Sequence, residues 1–505
     1  MAKAQPIMLQ GTASDVGKSV LAAAFCRIFA QQGYKTAPFK AQNMALNSYV
    51  TWDGKEIGRA QGLQAEAAGI PASADMNPIL LKPARDHEAQ VIVQGTSRGN
   101  RSAGGYRRDF FHEAFAAIRE SYGRLAASYE RIVIEGAGSP AEINLQDREL
   151  ANMRIARMAN APVILIGDID KGGVFASLVG TLQLLAPEDR KRVIGVIINK
   201  FRGDFSLLKP GLDWFANYTG KPVLGVIPYL NSPLFDAEDS LALASWRMAR
   251  EQTDVQSAAK PLDVAVIAYP RMANFTDAEP FLAEPDCRVR LVREAAELGV
   301  PDMVILPGTK NTIEDLQYVK TKRLAAAIVA LAQNSSTLIV GICGGYQMLG
   351  RLIRDPYGVE SPCAEEQGIG LLPVETELAK EKTVARIKAT AIWRGEAHAV
   401  AGYEIHMGKT KRLSQAEDLL RDTGGDPGIR SSTSNVIGTY MHDFFHNDSL
   451  RCRILNDLRA NKGLPAANCV AFTALRQSRL DQLANCVRQN VDLAYIEQAM
   501  AQFSE

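Results

Sequence analysis

An apolar run from Thr337 to Ile342 ends in Gly-Ile-Cys-Gly-Gly (341–345) and opens into a helical stretch, YQMLG. Glycines around one nucleophile suit a sharp strand-to-helix turn, which lifts the side chain clear of the main chain. Cys343 is therefore read as a thiol able to form a thioester, with the following helix N-terminus favouring negative charge on sulfur. A buried, inert cysteine has no need of glycines two residues before it and one and two after it. Such a thiol needs a proton partner, and the chain holds six histidines, at 87, 112, 398, 406, 442 and 446. His442 follows the strand-like NVIGTYM, and its rival His406 sits in GYEIHMGKT. Both can approach the turn in space, and the pattern favours His442. For a developing oxyanion the Gly344 N–H is a natural donor, with a second from the turn after DMVILPG, at Gly308 or Thr309.

A second constellation lies near the start. The segment GTASDVGKS (Gly11 to Ser19) follows an apolar strand and precedes the helical VLAAAFCRIFAQQ. Successive backbone N–H groups and a helix N-terminus can cradle phosphates there, with Lys18 supplying charge, Gly17 close approach and the Ser19 hydroxyl a magnesium ligand. The spacing from Gly11 to Gly17 is one residue longer than in G-x-x-x-x-G-K-[ST], and Thr12 stands where the first glycine would be. Carboxylates at strand ends would complete such a site, because magnesium wants oxygen ligands. Glu135 in VIEGAG and Asp168 and Asp170 in IGDIDKGG are the candidates, each also readable as a helix cap. Asn199 and Lys200, ending another strand, are candidates for the nucleotide base.

Positioning both constellations takes strands buried on two faces. PIMLQG (6–11), TAPFK (36–40), RIVIEGAG (131–138), PVILIGDID (162–170), RVIGVIINK (192–200) and PVLGVIP (222–228) are continuous apolar runs separated by helical stretches. That is the pattern of a doubly wound α/β sheet. After a polar segment the series reopens with LDVAVIAYP (262–270), CRVRLV, DMVILPG (302–308), TLIVGIC (337–343) and NVIGTYMHDFF (435–445). The expected organisation is one α/β domain over 1–236, a linker over 237–260, a second over 261–450, and a helical segment over 451–505. The 505 residues, 47% hydrophobic and 22% charged, suit two soluble domains. A net charge of +1 gives no general attraction to nucleic acid or anionic membrane. Seven scattered cysteines without a C-x-x-C pair argue against a disulfide framework or structural zinc. With no apolar leader and no membrane-length apolar run, a cytoplasmic protein is expected.

Across both domains the chain resembles the cobyric acid synthases, through GTASDVGKS, PFKAQNMALNS (38–48), VIEGAGSPAEINL (133–145), DIDKGGVFAS (168–177), INKFRGD (198–204), NFTDAEP (274–280), ILPGTKNTIEDL (305–316), GICGGYQMLG, GYEIHMGKT and GTYMH. The resemblance implies a dethiobiotin-synthetase-like ATP domain joined to a class I glutamine amidotransferase domain, with Cys343 as nucleophile and His442 as its partner. It implies that adenosylcobyrinic acid a,c-diamide is amidated at its b, d, e and g propionates, each with one ATP and one L-glutamine, magnesium assisting. Lys40, Gln42 and Asn43, in the segment peculiar to the family, are expected at substrate or phosphate. Many class I amidotransferases carry a glutamate two residues after the histidine. Here that position is Phe444, so a Cys–His dyad is expected. Asp443 stands where relatives usually have glycine, and it either orients the imidazole or is a tolerated change. Two rivals are cobyrinic acid a,c-diamide synthase, which amidates acetates, and a non-catalytic ATP-driven switch.

Overall fold

Strands apolar on both faces must be covered on both faces, and every strand expected from the apolar runs forms. The computed structural model describes residues 4–85, 88–102, 110–230, 260–333, 336–431 and 435–504. Most of the expected linker, and His87, lie outside the described residues. Contacts divide the chain into two units, residues 1–242 with 476–505, and residues 243–475.

The first unit is built on a six-stranded sheet in the order Val223–Pro228, Val193–Phe201, Val163–Asp168, Gln5–Gly11, Arg131–Glu135, Thr36–Phe39. All neighbours pair parallel. Gln5–Gly11 is central, and the chain leaves it at the carboxyl edge, where doubly wound sheets bind ligands. The helix Lys18–Gln31 then runs back along the sheet, its consecutive alanines 22 to 24 all buried. Small side chains let a helix be covered on two sides. Leu480, Leu483, Ala484, Val487 and Met500, from beyond residue 475, join its core cluster, and Arg27 pairs with Asp481 at 2.8 Å.

The insertion between Thr36–Phe39 and Phe111–Ser128 forms a four-stranded sheet, Gln42–Met44, Ile79–Arg85, Glu88–Val93 and Thr96–Ser102. A hairpin, Ser48–Val50 with Glu56–Gly58, joins it. The apolar stretches of the sheet, residues 79–81 and 91–93, are three residues each and flanked by proline or polar residues, too short to be read as strands from the sequence.

The second unit has a six-stranded sheet ordered Cys287–Val292, Leu262–Ile267, Met303–Leu306, Leu338–Ile342, Val436–Thr439, Ile429–Arg430, parallel except for its last pair. A second sheet is dominated by a long hairpin, Val374–Trp393 with Glu396–Arg412. The hairpin turns through Arg394 and Gly395, at φ 48° and 83°, as two-residue turns between twisted strands require. Among the described residues no helix is long and apolar enough to cross a membrane.

If residues beyond 475 complete the first unit's core, Leu483→Ala should lower its stability by about 3 kcal/mol in chemical denaturation, whereas Leu207→Ala, at an 82% exposed position, should change it by less than about 0.5 kcal/mol.

Candidate active site

Cys343 ends the strand Leu338–Ile342 at φ 54° and ψ −110°, a region costly for a residue with a Cβ. The strain is held from both sides. A Cβ on Gly345 would come within 1.9 Å of the Leu306 carbonyl, and one on Gly344 within 2.5 Å of Thr309. Only glycines let this turn press against the neighbouring strand. The Gly344 amide opens the helix Gly344–Leu349 and so has no intrahelical acceptor. A Cβ on Gly308 would lie 3.1 Å from His442 Cε1 and 3.7 Å from Cys343 Cβ, so Gly308 backs the space between thiol and imidazole.

His442 is completely buried and sits beside Cys343. Its main chain exchanges hydrogen bonds with Tyr403, whose ring stacks on the imidazole at 5.0 Å. The close approach explains Gly402, where a Cβ would meet the His442 carbonyl at 2.1 Å. Nδ1 of His442 lies 2.7 Å from Oδ2 of Asp277, itself 1% exposed. Burial works against the imidazolium, but Asp277 and then Cys343 overcome it, and the His442 pKa is pushed up to about 10.

The expected dyad is thus a line of three side chains. The carboxylate comes from NFTDAEP, 165 residues before the histidine, rather than from the position two after it, where Phe444 fills the core. That motif was visible in the sequence; its contact with His442 was not, because nothing local links them. Asp443 does not reach the imidazole: its amide donates to Asp277 Oδ1 at 2.7 Å and its carboxylate faces His446 at 3.5 Å. Its φ of +62° is a conformation glycine adopts freely. His406 is not joined to the thiol. Its Nδ1 meets the Gly408 carbonyl at 2.8 Å and its ring stacks on Tyr440 at 3.7 Å. The adjacent Ile405 supplies the carbonyl that accepts from Cys343 Sγ at 3.5 Å.

In the first unit, Lys18 donates to the carbonyl of Ala13 in its own loop at 2.9 Å and to that of Gly138, after the strand Arg131–Glu135, at 3.2 Å. The loop's irregular spacing has a physical reason. The Thr12 amide donates to Ile166, so the strand ladder runs one residue further and Thr12 contributes no amide to the cradle. Gly11 is the position with no room, since a Cβ there would meet Val16 at 2.6 Å, Ala13 O at 2.8 Å and Lys18 Nζ at 3.0 Å. Gly17, at φ 99°, faces Asn199, whose side chain donates to the Val16 carbonyl at 2.8 Å. Lys200 bridges the Asp15 carbonyl at 2.6 Å and Asp168 at 2.8 Å. In this arrangement Asn199 and Lys200 brace the loop.

Glu135, wholly buried, accepts from Ser19 Oγ and Lys40 Nζ on Oε1, both at 2.7 Å. Burial opposes its charge, but Lys40, with hydrogen bonds from Ser19 and Gln64, holds the carboxyl below its usual range. Ser19 and Glu135 therefore offer two adjacent hard oxygens, a donor set that fits magnesium. Asp168 is engaged elsewhere, through Lys200 and the Asp170 amide, and Asp170 pairs with Arg202 at 3.1 Å. Asn43 donates to Gln61 at 3.0 Å, and Gln42 lies on the strand paired with Ile79–Arg85. Among the described residues no group of three or more His, Cys, Asp or Glu forms a metal cluster.

Residues 7–238 match the CobQ/CobB/MinD/ParA nucleotide-binding domain, and residues 263–450 match the CobB/CobQ-like glutamine amidotransferase domain. The chain is 59% identical to the cobyric acid synthase of Geobacillus kaustophilus over 503 residues, covering 100% of this chain and 99% of that one. It is likewise 59% identical to that of Geobacillus thermodenitrificans, with both chains covered completely, and 48% identical to that of Desulforamulus reducens, with 99% of each covered. The chain belongs to the cobyric acid synthase family. As a cobyric acid synthase family member it is a glutamine-dependent amide ligase, and the reading as a non-catalytic switch falls.

Asp277→Asn should lower glutaminase turnover about 100-fold while leaving ammonia-driven amidation intact. It should also change stability with a definite sign. An imidazole raised from 6.5 to about 10 contributes stability that is full below pH 6.5 and lost as pH rises through about 10. The gap in melting temperature between parent and variant should therefore narrow across that window. An unchanged glutaminase rate would reduce Asp277 to a structural residue.

Proposed function

We propose that this chain amidates the b, d, e and g propionate carboxylates of adenosylcobyrinic acid a,c-diamide, giving adenosylcobyric acid in cobalamin biosynthesis, with one ATP and one glutamine for each amide. The observation that carries this reading is near-60% identity along the whole chain to cobyric acid synthases. The geometry of the two sites supports the chemistry.

In the glutamine half, Cys343 sulfur attacks the side-chain amide carbon. His442 manages the thiol proton and delivers it to the leaving nitrogen, so ammonia departs and a glutamyl thioester remains. Water then attacks the thioester, releasing glutamate and restoring the thiol. Gly344, with Gly308 or Thr309, would stabilise the oxyanion that forms in both steps, and Asp277 holds the imidazole through Nδ1, leaving the proton to be handled at Nε2, which lies 3.5 Å from Asn274 Nδ2.

A carboxylate is a poor acylating group, so the synthase half must activate it. A propionate oxygen attacks the γ-phosphorus of ATP, ADP leaves, and the resulting acyl phosphate yields to ammonia with loss of phosphate. The loop amides around Gly17, with Lys18, would hold the phosphates, and Lys40 the developing acyl phosphate, beside Gln42 and Asn43. Magnesium, held by Ser19 and Glu135, would neutralise charge on the phosphate oxygens when bound.

Mass spectrometry of corrinoid products after incubation with ATP, glutamine and the a,c-diamide should show four carboxylate-to-amide conversions. Amidation of acetates in an unamidated corrinoid instead would point to the a,c-diamide reaction. Cys343→Ser should abolish glutamine-driven amidation and spare ammonia-driven amidation. Lys18→Ala should abolish both, and retained turnover with ammonia would refute its role in activation.

A further inference from the structure

Glu135 has four donors, and they are divided by kind. Oε1 receives the Ser19 hydroxyl and the Lys40 ammonium. Oε2 receives two neutral amides, Gln64 Nε2 at 2.6 Å and Gln61 Nε2 at 3.3 Å. The two glutamines lie three residues apart on the helix Arg59–Ala67, both with 0% exposure, so they share a helix face. Burying two glutamine side chains is costly unless their polar groups are used. Here Gln64 Nε2 also reaches the Ser19 carbonyl at 3.3 Å, and Gln61 Oε1 accepts from Asn43 at 3.0 Å. Gly58, heading this helix, leaves the room required: a Cβ there would lie 2.3 Å from Asn43 Nδ2 and 2.7 Å from Gln61 Oε1. Gln64 Oε1 is a buried acceptor without a partner among the described residues, consistent with a donor, such as metal-bound water, entering when the site is filled.

We propose that Gln61 and Gln64 are positioning residues for the metal–nucleotide site, clamping Glu135 Oε2 so that only Oε1, beside Ser19, is presented to a cation. The inference rests on the reading that Ser19 and Glu135 hold magnesium. Neutral donors suit the task because a second cation on Oε2 would cancel the charge that attracts the metal, whereas amides orient the carboxylate and leave that charge. Lys40 then occupies Oε1 in the metal-free protein and is free to turn to a phosphate or acyl oxygen once a divalent ion replaces it.

The test uses the full chain with manganese as a spin probe, its binding in the presence of ADP followed by electron paramagnetic resonance. Gln64→Met keeps side-chain length and removes the donor. It should weaken manganese binding about 10-fold, in the range for outer-shell partners of metal ligands. It should also raise the KM for magnesium in ammonia-driven amidation with little change in kcat at saturating metal. Metal-free ADP binding and glutaminase activity should stay at parent values. Gln61→Met, removing the longer contact, should give a smaller loss of about 3-fold, and it also carries the test should Gln64→Met fail to fold. Manganese binding at parent strength in the folded variants would overturn the proposal, as would an equal loss of metal-free ADP binding. Glu135→Gln separates the two ideas: manganese binding unchanged there sinks the metal reading itself, whereas binding lost there but kept in the glutamine variants sinks only the clamp.

Discussion

A carboxylate with no access to water must be neutralised where it stands, and in each unit one such group sets the position of its neighbours. Glu135 is surrounded by a lysine, a serine and two glutamines; Asp277 is shared between the His442 imidazole and the Asp443 amide. Removing the charged partner, Lys40 in one case and His442 in the other, would leave a buried charge uncompensated, which costs several kcal/mol. The same interactions that fix the fold at these points also fix which atoms face the chemistry.

Both sites depend on a second constraint, that strands covered on two faces offer chemistry only at their edge. Glu135 ends Arg131–Glu135, and Cys343 follows Leu338–Ile342. The turns there are crowded enough that glycine is a steric requirement: Gly11 under the phosphate loop, and Gly345 against Leu306. In this protein those glycines mark where main chain passes main chain without room for a Cβ.

The strands of the two parallel sheets, though not their order, were legible because each is a continuous apolar run, a signal that survives without tertiary context. Cys343 was legible for a similar reason, since the residues that strain its turn are its sequence neighbours. Asp277 was not, because its partner lies 165 residues away and the local pattern around His442 pointed only to a missing glutamate. Gln61 and Gln64 lie in the polar sequence of the helix Arg59–Ala67, where amides read as solvent-facing. Their function depends on the helix being covered, which no local pattern reports. The insertion of residues 42–102 escaped because its apolar stretches, residues 79–81 and 91–93, are only three residues long, although Ile79, Leu81, Val91 and Val93 are buried in the unit's core.

The core of the first unit has a feature that matters before the protein is finished. The buried face of Lys18–Gln31 is covered partly by Leu480, Leu483, Val487 and Met500, yet roughly 230 residues belonging to the other unit are made in between. At ~5–20 residues per second of synthesis, that face stays incompletely covered for on the order of 10–50 s on the ribosome. The second unit, being contiguous, can close as soon as its own residues emerge. The last part of the first unit's core is therefore completed only after the residues of the second unit have been made.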